Sequence, residues 1–339
     1  MSGNDLPLLY IQEGSMKKFI LLFLFVNFYM VAYNQFIRGT ISDKQSGHPI
    51  AFASIYFNGT FDGTISDQDG IFELDISKNS SMPLTISAIG YYSETITNLV
   101  SSEALKIFLS PKIIELNEVV INAKSPSGIR KEHLQLFRTS LLGITANASK
   151  CKILNEDDIS FSLYHDTLEA FASKPIMIEN KALGYKITYY LDKFEYDKKS
   201  KTIFFYGNII FNEDFSIVES KKEIFEKRRK DAYLGSRMHF FRMLWSDELA
   251  SAGFRVKSAD NLDLDSKSIV YLNVNGKYLL NYSNEMEIIF HKNRSSIVFL
   301  KEKIYFNKNG YFDPMGIGWK GEMAKQRIAD WLPYEYSIE

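Results

Sequence analysis

The chain reads as mainly β, an N-terminal antiparallel β-sandwich followed by an α+β region. Three observations predict this. Aromatic residues make up 14% of the 339 residues, with 26 Phe, 20 Tyr and 3 Trp, and rings of that kind pack well on a pleated surface. From residue 36 to 123, short alternating runs are separated by regular turn signals. Beyond Gly128, two stretches with helical spacing are interleaved with further strand-like runs.

Composition narrows the function classes. A chain 45% hydrophobic and 24% charged is globular and not disordered. Lys and Arg total 40 against 41 Asp and Glu, a net charge of −1, so no basic excess points to nucleic acid. The single cysteine, Cys151, excludes an intrachain disulfide and a cysteine-based zinc site.

The first element is a targeting segment. Residues 16–33 read MKKFILLFLFVNFYMVAY, with Lys17 and Lys18 ahead of an unbroken apolar run. That order is a secretory signal. A spanning helix needs about 20 apolar residues, and Asn27 interrupts this run. Residues 1–34 are expected to be a signal peptide starting at Met16, cleaved near residues 33–35. No cysteine follows the run, which argues against a lipoprotein. A mature chain of about 300 residues builds a core without disulfides, which suits a bacterial envelope protein.

Eight strands are expected next, at 36–42, 51–57, 63–66, 71–76, 84–89, 91–97, 105–109 and 118–122. Ile37 and Ile41 share one side of the first; Ala51, Ala53, Ile55 and Phe57 share a face of the second. Asn58-Gly59, Asp62-Gly63 and residues 67–70 are turns. Gly70 supplies a conformation that side chains penalise, and Pro49 presets the turn before the second strand. Ser125-Pro126-Ser127-Gly128 is a breaker cluster. The organisation is therefore a sandwich over 36–123 that folds by itself, a linker at 124–128, and an α+β region over 129–339.

The ordered pattern Gly39-Thr40-Ile41-x-Asp43, Gly47-x-Pro49-Ile50, Gly63-Thr64-x-Ser66-Asp67-x-x-Gly70-x-Phe72-x-Leu74, Ile86-Ser87-x-Ile89-Gly90-Tyr91 and Leu116-x-Glu118-Val119-Val120-Ile121 is distinctive. It resembles the carboxypeptidase-regulatory-like domain of Bacteroidetes envelope proteins. That resemblance implies a transthyretin-like (prealbumin-like) β-sandwich behind a signal peptide. It implies a scaffold and not a peptidase, because none of His48, His133, His165, His239 and His291 is followed by Glu three residues on. In transporters carrying this domain, a segment like 116–121 engages an energy-transducing partner by strand addition. Here the 218 residues that follow are too few for the transporter barrel, so the segment is read as the last sandwich strand. Asp62, Asp67 and Asp69 lack the EF-hand pattern and read as turn formers.

In the second region, Leu134, Phe137 and Leu141 predict a helix over 129–142, ended by Gly143. A meander is expected over 159–215, with separate strands at 185–191, 193–196, 202–206 and 208–211. Residues 220–252 read as helical with a break at Gly235. Their basic stretch is balanced by acids and reads as a solvated face. Met238, Phe241, Trp245 and Leu249 form a stripe at helical spacing, the pattern of a core face. Asn275-Gly276 is the strongest hairpin signal. The end is polar-aromatic, with Trp319, Arg327, Trp331, Pro333 and Tyr334. A charged helix at 220–231 argues against an outer-membrane barrel. The region resembles the C-terminal portion that accompanies this domain in Bacteroidetes proteins, through Cys151-x-Ile153-Leu154-Asn155, Leu183-Gly184-Tyr185 and Tyr233-x-Gly235-Ser236-x-x-x-Phe240. That likeness implies no chemistry.

Catalytic patterns are absent from the sequence: no nucleophile elbow, phosphate loop or dinucleotide fingerprint. Cys151, between Lys150 and Lys152, is the one nucleophile considered, with His165 or His239 as its base. Arg237, His239 and Arg242 are the ligand-binding candidates. On an ideal helix Arg237 and His239 point about 200° apart and Arg237 and Arg242 about 140° apart, so they are expected on the surface without converging. No catalytic residue, metal or cofactor is assigned. The expected role is non-catalytic binding or assembly by an exported protein, periplasmic or peripheral to the outer membrane, with an envelope protein or a glycan as partner and no nucleic acid. Carbohydrate binding and a hydrolase site hidden in 129–339 are the alternatives.

Overall fold

The computed structural model describes residues 36–97, 99, 104–112, 120–121, 127–273, 276–281 and 284–338. The expected signal peptide, residues 116–119 and most of the expected linker lie outside them. Among the described residues, no helix is long and apolar enough to cross a membrane.

The first unit is a two-sheet β-sandwich built from β1 (Phe36–Asp43), β2 (Ser54–Phe57), β3 (Gly63–Ile65), β4 (Ile71–Asp75), β5 (Leu84–Ser87), β6 (Glu94–Ile96) and β7 (Leu105–Leu109). One sheet has the order β4-β1-β7, the other β3-β2-β5-β6. The alternation that predicts these strands also sets their inner faces. Ile37, Ile41, Ile55, Phe57, Phe72, Leu74, Ile86, Ile107 and Leu109 form one core. One expectation is corrected. The sandwich is not purely antiparallel, because β1 and β7 run parallel. The second sheet is also buried on its outer face: Tyr56, Thr85 and Ser87 are buried, and the Tyr56 ring stacks on Tyr190 of the second region.

The eighth expected strand belongs elsewhere. β8 (Val120–Ile121) pairs antiparallel with β10 (Ile159–Tyr164) in the second region. It is not the last sandwich strand. Residues 127 and 128 are not linker either; they open α1 (Ser127–Leu142). Phe137 and Leu141 of α1 are fully buried, and Gly143, with φ +96, ends the helix.

β9 (Cys151–Ile153), β11 (Thr167–Ala172), β12 (Ile176–Asn180), β13 (Tyr185–Asp197) and β14 (Thr202–Glu213) complete a seven-stranded sheet. It is not a simple meander, since β13 lies between β11 and β12 and also pairs β14. The four strands expected over 185–211 are two long ones. A bulge between Leu191 and Lys193 lets β13 continue instead of stopping. The skipped residue, Asp192, accepts from the Asn208 amide and pairs with Lys112 of the sandwich at 3.3 Å.

α2 (Phe215–Tyr233) and α3 (Arg237–Ser246) are separated at Gly235, as the sequence predicts. α3 stops short of the expected end because Asp247 turns left-handed, with φ +61. Leu249 is buried outside the helix. The basic stretch of α2 is exposed at Lys222, Lys227 and Lys230, but Arg229 is buried. It stacks on Tyr185 at 4.2 Å, donates to the Leu183 carbonyl and pairs with Glu226.

The last part packs α3 against two small sheets. β15 (Phe254–Ser258), β16 (Asp263–Leu264), β19 (Glu285–Phe290), β20 (Asn293–Phe299) and β22 (Ile317–Gly321) form one, in the order β16-β15-β19-β20-β22. β17 (Val270–Asn273), β18 (Gly276–Leu280) and β21 (Lys303–Phe306) form the other, with the expected hairpin between β17 and β18. Phe241 and Leu249 enter this core and Trp245 packs against it, while Met238 packs on the seven-stranded sheet's core. The short α4 (Ser266–Ile269) precedes β17, and α5 (Glu322–Lys325) follows β22.

After α5 the chain returns to the seven-stranded sheet. Ile328, Ala329, Leu332 and Tyr336 are buried in its core. Asn180 donates to the Ala329 carbonyl at 3.0 Å. The sandwich joins at the same place. Residues 58–60 lie along the free edge of β14, with Gly59 N–H donating to Ile209 at 2.8 Å and Phe211 N–H to Thr60 at 3.1 Å. Tyr334 N–H donates to the Gly59 carbonyl at 2.8 Å. Gly59 has φ +79, and a Cβ there would lie 2.5 Å from the Tyr334 ring. Phe61 packs into the second region against Tyr185 and Phe211.

Candidate functional site

At this junction lies a cavity of about 320 Å³. That volume falls within the range of small-molecule sites. The turn at Asn58-Gly59, the strand β14, the start of α3, the 310–319 segment and the C-terminal tail all contribute to its wall.

The wall is aromatic. Phe205 stacks on Trp331 with ring centres 6.3 Å apart. Phe312 meets Trp319 at 5.6 Å, edge to face, and Tyr311 meets Tyr334 at 6.1 Å. Burial raises the Tyr311 and Tyr334 phenols, so both stay protonated at neutral pH.

A few polar groups converge on this surface. Arg237 lies over the Trp319 ring at 4.9 Å and Arg327 over Phe205 at 5.7 Å. Among the described residues, Asp330 is the single carboxylate in the wall. Thr145 donates to both its oxygens at 3.0 Å and Asn147 to one at 2.9 Å. Burial pushes its carboxyl up, opposed by those hydrogen bonds. The Asn58 side-chain oxygen is already taken by Ile209 N–H.

The three candidates from the sequence are not surface residues. Arg242 donates to the carbonyls of Asn309, Tyr336 and Tyr334 at 3.0, 2.7 and 3.0 Å. It ties the tail to α3. His239 is buried, and its Nδ1 accepts the Gly235 N–H at 3.1 Å. Burial, with Arg242 nearby, pushes the imidazole down to about 4, so it is neutral. Of the three, Arg237 alone lines the cavity. The 323–326 segment holds Arg237, Asn309 and the tail hold Arg242, and His239 packs among Tyr233, Phe254 and Phe290.

Cys151 is unsuited to nucleophilic attack. Burial pushes its thiol up to about 12, with Asp330 adding to the effect, and Sγ contacts the Asn147 carbonyl at 3.4 Å. Its lysine neighbours do not lower it. Asp67 fixes its turn by accepting from Asp69 and Ile71 N–H, and Asp62 accepts from Asn79. Among the described residues, no group of three His, Cys, Asp or Glu side chains gathers to hold a metal.

Sequence reading noted Trp319, Arg327, Trp331 and Tyr334 as a polar-aromatic end without assigning them a site. The signal was their density near the C-terminus. Their partners Phe205, Gly59 and Tyr311 lie outside that run.

No curated protein matches the chain. A crystal structure of a Bacteroides fragilis protein described as membrane-associated and of unknown function is similar at 11% identity, over 85% of this chain and 94% of that one, with a TM-score of 0.18. That likeness carries no argument about the fold. The family model of the CarboxypepD_reg-like domain matches residues 37–121, and the chain therefore carries a CarboxypepD_reg-like domain as its N-terminal β-sandwich.

Proposed function

We propose that the chain is a non-catalytic binding protein of the bacterial cell envelope, and that its ligand occupies the cavity between the sandwich and the second region. The observation that carries this reading is the aromatic cavity itself, which is apolar, concave and lined by a few fixed polar groups. The signal-like residues 16–33 and the CarboxypepD_reg-like domain support export. A hydrolase reading finds less support: paired-carboxylate chemistry needs two acids, and the wall holds one, already hydrogen-bonded. Glycan binding is the second reading, favoured by Trp319 and Trp331 as stacking surfaces.

The neutral dye Nile red tests the primary reading. Its fluorescence is expected to rise on binding the chain. Ile203→Trp, which adds volume at a half-buried wall position, is expected to abolish the rise. An unchanged rise in that variant, or none in the wild type, contradicts the reading. Displacement of the dye by simple sugars would favour the glycan reading.

A further inference from the structure

Arg237 and Arg327 stand in the same wall. Arg237 is held in place: its Nε and Nη2 donate to the Met323 carbonyl at 3.1 and 2.7 Å, and its guanidinium stacks on Trp319. Arg327 stacks on Phe205 and, among the described residues, has no hydrogen-bond acceptor or carboxylate partner. No carboxylate acts on Arg237 either; its charged neighbour is Arg327, which disfavours its charge as burial does. Asp330, the one acid of the wall, is spent on Thr145 and Asn147. Two half-buried guanidiniums in one wall without a counter-charge are partly desolvated and repel each other, and an anion between them would offset that cost. Guanidinium forks match carboxylate and phosphate oxygens. The remaining wall is aromatic and would cover an apolar body.

We infer that the cavity selects a small amphiphile, an apolar body with one carboxylate or phosphate head, the head held by Arg327 with Arg237 behind it. This rests on the cavity being the binding site and adds the class of ligand.

The test is displacement of Nile red by decanol, decanoate, decyl phosphate and inorganic phosphate. Decanoate, decyl phosphate or both are expected to displace the dye at concentrations about tenfold or more below decanol, the gain from a charge-assisted hydrogen bond. The two heads identify which anion is preferred. Inorganic phosphate, lacking a body, is expected not to displace it. Arg327→Gln should bring the anionic compounds within about twofold of decanol, and Arg327→Lys should keep most of the preference. Equal displacement by decanol and both anions on the wild type would overturn this inference while leaving the cavity as an apolar site. So would an undiminished preference in Arg327→Gln, or displacement by inorganic phosphate alone. Failure of the dye to bind at all would remove the binding reading and this inference with it.

Discussion

In the sandwich, turns are fixed by side chains that reach a few residues along the chain. Asp43 accepts from Gln45 and Ser46 N–H, Asp67 from Asp69 and Ile71, and Asp75 from Ser77. Around the cavity, the loops are fixed by side chains that reach across the chain. Arg242 reaches the Asn309 carbonyl 67 residues away, Thr145 reaches Asp330 across 185, and Phe61 N–H reaches Glu335 across 274. Local devices fix these three turns of the sandwich from within. Distant ones make the cavity a property of the whole chain, so a single substitution there should disturb several segments together.

The largest effect is expected from Arg242→Ala. It strips donors from three carbonyls at once, two of them in the tail. Loss of such charge-assisted bonds should cost about 3–5 kcal/mol in denaturant unfolding. A cost below about 1 kcal/mol would mean the tail is held by apolar packing alone.

Acid should act next, through His239. Its folded pKa lies near 4, below the unfolded value of about 6.5. As pH falls, the unfolded state takes up the proton first. Stability is therefore lost from about pH 6.5 downwards, and the loss levels off below about pH 4, reaching on the order of 3 kcal/mol. His239→Gln should flatten that limb of the stability curve, and an unchanged slope would assign the acid response to other groups.

Gly59→Ala adds a Cβ where φ is positive and the Tyr334 ring is 2.5 Å away. It should cost about 2 kcal/mol and raise hydrogen exchange in both the 58–60 turn and the tail. Exchange rising in the turn alone would break the proposed coupling between sandwich and tail. The smallest effect is expected from Asp67→Ala, which removes two exposed turn bonds. It should cost about 1 kcal/mol and leave cavity binding unchanged.

The same contrast governs what the sequence reveals. Asp67, Gly70, Asn275-Gly276 and the 3-and-4 spacing of Leu134, Phe137 and Leu141 act within a few residues, so the elements they specify are legible. Val120–Ile121 misled, because two β-prone residues carry no mark of the strand they pair with, and theirs is Phe161-Ser162. Asp192 gave no sign that it would bulge and let β13 run on. Nothing beside Tyr56 in the sequence marks the second region, yet its ring is buried and stacks on Tyr190. Arg237, His239 and Arg242 were legible as a cluster on one helix. The roles of Arg237 and Arg242 were not, because they are set by Met323, Asn309, Tyr334 and Tyr336, all far along the chain.

The three tryptophans allow the most direct test of the cavity as the binding site. Trp319 and Trp331 line it, and Trp245 packs elsewhere, against Phe306 and Lys277. The measurement is the indole N–H spectrum of the nitrogen-15-labelled chain during titration with decanol and then with decanoate. The Trp319 and Trp331 resonances should move in a saturable way while Trp245 stays within its line width. No movement with either compound, or a Trp245 shift as large as the other two, would contradict a ligand site in this cavity.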